Sequence, residues 1–221
     1  MLTNEIMNEI LNLLTLDDVM SKELFEESHR NKAMAKALSA THPRFELVSF
    51  DQFKKDWCDA FDGSDGYDGW DIDNKHDVDD IKYIYNHVEL PSRSTKHSAG
   101  YDFKSPINFK LNPGESIMIP TGIRAYMPDN LVLMIFPRSG LSTKYRFVPM
   151  NLTAIIDSDY YRADNEGHIH MKMVNDGNKP LCIEQGQAFC QGIFTNYFTT
   201  YNDNADGVRT GGMGSTDKKQ V

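Results

Sequence analysis

The chain has 221 residues, of which 40% are hydrophobic and 25% charged, with a formal net charge of −9. That length and apolar content suit one packed domain with an appendage and exclude a wholly disordered chain. The sequence has no run of 18 apolar residues for a membrane span, and its first 14 residues carry Glu5 and Glu9 without a basic stretch, so no membrane contact and no secretory signal are expected.

An acidic surface disfavours direct nucleic-acid binding, which needs clustered Lys and Arg. The charge is uneven. Ten Asp and one Lys fall between Asp56 and Asp80, giving that stretch −9, so the remainder is balanced and can hold a local anion site. The three cysteines, Cys58, Cys182 and Cys190, have no CxxC spacing. They fit neither a disulfide framework nor a zinc site, and a reducing cytoplasm is the expected compartment.

In chain order, Ile6, Ile10, Leu13 and Leu14 form the stripe of an amphipathic helix. A second helix is expected over about 17–40, ending before Pro43. RFELVSF (44–50) reads as a strand, and Ser49 or Asp51 can cap a third helix through Phe53 and Trp57. Residues 1–55 thus form a mostly helical module. Residues 56–80, with Asp at every third position from 56 to 71 and interleaved glycines, read as an acidic linker. Asp71, Asp73 and Asp77 have oxygen-ligand spacing, but His76 stands where a calcium loop needs glycine.

From residue 81 the pattern becomes short apolar runs between turns. These are 81–85, 107–111, 116–120, 123–127, 131–136, 152–156, 168–173, 181–184 and 189–194, with NPGE, MPDN and NDGNKP as turn chemistry. An all-β barrel or sandwich over 81–208 is the expectation. His168 and His170 share one strand face and read as surface residues, with no third ligand at metal spacing.

Five polar clusters interrupt the strands: SAGYDF (98–103), PRSGLS (137–142), NLTAIIDSDYY (151–161), EQGQAFCQGIF (184–194) and RTGGMGST (209–216). Each alone is weak evidence. In this order and spacing they resemble the five motifs of the trimeric dUTPase family, in its bacterial and phage branch. LPSRSTKH and LNPGESIMIPTGIRAYMPDN, in the joining segments, resemble it too.

The resemblance implies an all-β jelly-roll-like dUTPase barrel with a small helical N-terminal extension, and a homotrimer with shared active sites. It implies hydrolysis of dUTP to dUMP and pyrophosphate, which limits uracil in DNA and supplies dUMP for dTTP synthesis. Mg²⁺ is the implied cofactor, held through water by Asp102, and Arg138, Ser139 and Gly140 match the phosphate-contacting motif. Asp157 matches the carboxylate that activates water, with Asp159 structural. Asn151 matches the uracil-reading hairpin, Tyr160 the ring beneath the deoxyribose, and Gln191 a nucleotide contact. Residues 209–221 are the expected lid, with Arg209, Gly211, Gly212, Met213, Gly214, Ser215 and Thr216 on the nucleotide.

Two positions depart from the family pattern. Met213 stands where an aromatic residue usually covers the uracil, and Asp217 where glycine is usual, so a somewhat weaker KM is expected. Two other readings share the fold. A dCTP deaminase needs a Glu after the hairpin, where only Glu166 lies. A regulatory binding protein would use residues 1–80 to hold a partner protein.

Overall fold

The computed structural model describes residues 42–61 and 77–212. The chain divides into two units, Met1–His42 and Pro43–Val221, and every element named below belongs to the second. The helices expected before residue 41, the glycine-rich part of the linker, and Met213, Gly214, Ser215, Thr216 and Asp217 lie outside the described residues.

The first strand is β1 (Arg44–Leu47), and strands dominate from residue 101 onward. They are β2 (Tyr101–Lys104), β3 (Phe109–Leu111), β4 (Ser116–Pro120), β5 (Ile123–Tyr126), β6 (Leu131–Pro137), β7 (Phe147–Pro149), β8 (Ala154–Ile156), β9 (His170–Asn175), β10 (Leu181–Ile183) and β11 (Ala188–Asn196). One sheet has the order β2-β11-β6-β8 and another β4-β9-β7, with β10 paired to β3. All these pairs are antiparallel. Alternation is the cause. Met171 and Met173 of β9 are buried while Lys172 between them is exposed, so one strand face closes the barrel and the other meets solvent. Gly192 of β11 sits where a Cβ would lie 2.8 Å from Leu133, which lets β11 approach the core closely. The result is an all-β jelly-roll-like barrel, as expected.

Two helices depart from the pure-strand reading over 81–208, and a third, Phe50–Phe61, lies where the sequence placed one. Residues 81–85, expected as a strand, lie in the helix Val78–Asn86. Ile81 and Ile84 are both buried, a helical spacing, but with Tyr83 and Tyr85 also in the run the sequence fits alternation equally well. The Asp77 side chain accepts a hydrogen bond from the Asp79 amide at 2.9 Å and caps this helix, while Asp71 and Asp73 lie outside the described residues. The PRSGLS cluster continues into the helix Ser139–Tyr145.

The third helix changes the domain boundary. Strand β1 pairs antiparallel with β5, and Phe50–Phe61 form helix α1. Phe53, Trp57 and Phe61 line one helical face, and Phe53 and Trp57 are fully buried in the same apolar cluster as Leu133 and Ile135. Residues 44–61 are therefore part of the barrel body. Helix α1 runs across both the expected module end at 55 and the expected linker start at 56, since Asp56–Phe61 complete it.

Candidate active site

Two side-chain clusters are built within one chain. The first surrounds a cleft of about 290 Å³ lined by the connection between β7 and β8 and by β8 itself (Asn151, Ala154, Ile155, Ile156), then Asp157, Tyr160, Asn165, Ile169, His170, Arg209 and Gly212. Leu152, in the turn that carries the chain from one sheet to the other, has φ +65°, and its amide donates to the Pro149 carbonyl, so the turn is tight. Asp157 follows β8 directly and precedes a 3₁₀ turn, Ser158–Arg162. Its carboxylate is half exposed and paired with the Arg209 guanidinium, whose Nε donates to Asp159 at 2.8 Å. Asp159 therefore anchors the arginine beside Asp157.

Tyr160 is nearly buried. Its hydroxyl donates to the His168 carbonyl at 2.6 Å and accepts from Asn165 Nδ2 at 2.8 Å, which fixes the ring along the cleft floor. Burial raises its pKa, so the phenol stays protonated and able to donate. Gly167 has φ +70°, and a Cβ there would lie 2.6 Å from the Tyr160 carbonyl, so this loop requires glycine.

The second cluster is set by sheet register. On β2 and β11, Asp102 faces Gln191. Asp102 Oδ2 takes Arg138 Nη1 at 2.5 Å and the Ser94 hydroxyl at 2.6 Å. Gln191 Nε2 donates to the Pro137 carbonyl at 3.2 Å. Arg138 follows β6 and Ser139 opens the short helix, while Arg138 and Gly140 line a shallow cleft of about 430 Å³. Asp102, Arg138 and Gln191 are thus brought together, but none of them lines the cleft that holds Asp157.

A third group was hidden in the sequence. His168 and His170 are not surface residues. His168 is fully buried and bonds Asp56 of α1 at 2.6 Å through Nδ1, and His170 is only 20% exposed. The signal lay in α1, since an Asp on its apolar face needs a buried partner. Burial disfavours the charge of Asp56, yet hydrogen bonds from His168, His170 and Gln52 outweigh this and hold it well below the usual carboxylate range. Burial likewise pushes His168 down, against the pull of Asp56. Glu166, the residue a deaminase would need, is committed elsewhere: its carboxylate accepts from the Ser49 amide at 2.7 Å and hydroxyl at 2.6 Å, at the start of α1.

A jelly-roll barrel with Asp157, Arg209 and a tight turn around a cleft of this size has the groups of a nucleotide-handling enzyme. Similarity to known proteins makes the class specific. A family model described as dUTPase matches residues 86–217. The deoxyuridine 5'-triphosphate nucleotidohydrolase of Lactococcus lactis subsp. lactis is 41% identical over 138 residues, covering 61% of this chain and 92% of its own. That of Haemophilus influenzae is 42% identical over 114 residues, covering 50% of this chain and 72% of its own. Among solved structures, the dUTPase of Streptococcus mutans is similar, with a TM-score of 0.49 and 30% identity over 71% of this chain and 97% of that one. A Staphylococcus bacteriophage 80alpha dUTPase with dUPNHPP gives a TM-score of 0.46 and 22% identity over 56% and 85%. The chain belongs to the dUTPase family of nucleotide hydrolases.

Proposed function

We propose that the protein hydrolyses dUTP to dUMP and pyrophosphate, with Asp157 activating the water that attacks the α-phosphorus. The observation that carries this reading is the cleft itself. Its lining includes Asn151 and residues 154–156, the Tyr160 side chain, the Asp157 carboxylate and the Arg209 guanidinium, the kinds of group that a base, a sugar and a phosphate chain require.

Asn151 and the backbone of its turn pair with the uracil edge. A turn this tight rejects thymine by its methyl group and cytosine by its exchanged donors, leaving buried polar groups unpaired. The Tyr160 ring packs beneath the deoxyribose and leaves no room for a 2′-hydroxyl. Arg138, Ser139 and Gly140 hold phosphate oxygens, Arg138 through its planar fork, and Gln191 contacts the nucleotide. Arg209 leaves Asp157 for the phosphates as they enter, so the carboxylate becomes free to take a proton from water. Arg209, Gly211 and Gly212 begin the expected lid over 209–221, whose remainder from Met213 lies outside the described residues.

Asp102 is a hard oxygen donor, mostly buried and already shared by Ser94 and Arg138, which fits a group that holds Mg²⁺ through water rather than directly. When bound, the ion supplies neutralisation of the triphosphate charge.

The two clusters lie apart in one chain, which supports a homotrimer whose sites combine residues of neighbouring copies. Phe198, Tyr201 and Val208 point the same way. All are almost fully exposed on the arm after β11, where a second copy would cover them. The cytoplasmic assignment rests on the sparse cysteines of the sequence, Cys58, Cys182 and Cys190, which have no framework spacing. Among the described residues no helix is long and apolar enough to cross a membrane. The physiological role is removal of dUTP before it enters DNA, with dUMP passed to dTTP synthesis.

Pyrophosphate release from dUTP, dCTP, dTTP and UTP with Mg²⁺ tests the reading. Release from dUTP alone is expected. Ammonia release from dCTP would replace it with deamination, and nucleotide binding without turnover would replace it with a regulatory role.

A further inference from the structure

Residues 43–61 precede the stretch matched by the dUTPase model, yet three of their side chains reach the segment that lines the cleft. Glu46 accepts from the Tyr161 hydroxyl at 2.7 Å. Ser49 donates to Glu166. Asp56 Oδ2 takes His168 Nδ1 at 2.6 Å and Gln52 Nε2 at 2.8 Å, and lies 3.3 Å from His170 Nε2.

One backbone group fixes the proton positions. The Gly122 amide donates to His168 Nε2 at 2.8 Å, so that nitrogen carries the lone pair and Nδ1 carries the proton, aimed at Asp56. His170 Nε2 lies 3.2 Å from that protonated Nδ1 and beside the same carboxylate oxygen. It is satisfied there as a donor to Asp56. Its other ring nitrogen, Nδ1, is then an acceptor, on a residue that lines the cleft next to Tyr160 and Asn165.

Asp56, His168 and His170 also have their donor atoms within 4.8 Å of one another, a set that can hold a transition metal. The Gly122 amide argues against that use. A neutral His168 ligating through Nδ1 would carry its proton on Nε2, where two donors would face each other in a dry interior.

We propose that Asp56 is a positioning residue for substrate: it holds the His170 ring so that Nδ1 accepts a hydrogen bond from an N–H or O–H of the nucleoside, which makes α1 part of the substrate site. The proposal rests on the cleft being the nucleoside site. A histidine at the start of a strand has several rotamers. Fixing it in advance removes an ordering cost that binding would otherwise carry.

The test uses the full chain, the analogue dUpNHpp in calorimetry and dUTP in steady-state kinetics. His170→Phe keeps a ring and removes the acceptor. Binding of dUpNHpp is expected to weaken about 3- to 10-fold, the size of one hydrogen bond, with KM rising in step and kcat within about twofold. Asp56→Asn is expected to weaken binding in the same direction. In the double variant it should add nothing to the loss from His170→Phe, because both changes disable one acceptor.

Losses that add would overturn the proposal. So would unchanged binding with a lowered melting temperature, which would make the trio a structural clip. Stoichiometric Zn²⁺ retained by the dialysed wild-type protein and lost in either variant would replace it with a metal site. His170→Phe leaves the Asp56–His168 pair in place, so it decides the acceptor role even where Asp56→Asn does not fold. No dUpNHpp binding by the wild-type protein would sink the dUTPase reading itself; wild-type binding with unaltered variants would sink only this one.

Discussion

Asp102 and Asp157 each pair with an arginine, but the two pairs are built differently. Asp102 sits on a strand, opposite Gln191 by register, and is 13% exposed between Ser94 and Arg138. The sheet fixes the strand that carries it and the strand that leads into Arg138. Asp157 is 47% exposed at the end of a three-residue strand, and its arginine lies on a segment without regular structure. The first pair is held by the sheet on both sides. The carboxylate of the second is more open to solvent, which agrees with the proposal that Asp157 exchanges its arginine for water when substrate binds.

The largest effect that can test this contrast is on chemistry. Asp157→Asn is expected to lower kcat by about 10²–10⁴-fold while dUpNHpp still binds, measured by pyrophosphate release and calorimetry. Equal turnover would remove Asp157 from its role. Arg138→Ala comes next. It is expected to lower kcat/KM by about 10²-fold, in the range for loss of a fixed donor to developing negative charge. Because it also frees Asp102, a wild-type value would show that the sheet-held pair is scaffolding.

The third test concerns the N-terminal segment. Trp57→Ala should destabilise the barrel by about 3–5 kcal/mol, read by urea denaturation of the whole chain. A loss below about 1 kcal/mol would mean that α1 lies on the barrel without being part of its core.

The smallest effect is a pH slope. His168 is depressed in the folded chain, so its contribution is present above the unfolded histidine value of about 6.5 and is lost as pH falls below it. Asp56 and Glu166 are also lowered, and their contributions disappear further down, below about pH 4. For Glu166, burial opposes the charge, and the Ser49 hydrogen bonds outweigh it. Stability is therefore expected to fall in two stages on acidification. A curve flat from about pH 7.5 to about 5 would contradict the buried neutral histidine.

The strands from 116 to 136 were legible because alternation and turn chemistry agree there. The five clusters were legible because their residue types and order are local properties. The helix over 78–86 was not: the run 81–85 has apolar residues at 81, 83 and 85 as well as 84, so alternation and helical spacing both fit until Ile81 and Ile84 are seen buried together. The run 168–173 shows the other limit. Its histidines alternate as surface residues would, but α1, more than a hundred residues earlier, covers that face.

By itself, the sequence determined the strand periodicity, the turns and the set of chemical groups, because each depends on near neighbours. Only the tertiary structure decided that Asp56 meets His168 and His170, that Ser49 engages Glu166, and that Asp157 and Asp102 lie in different clusters of one chain. Those pairings join residues up to 117 positions apart, and a buried charge reveals its partner only when the chain has closed around it.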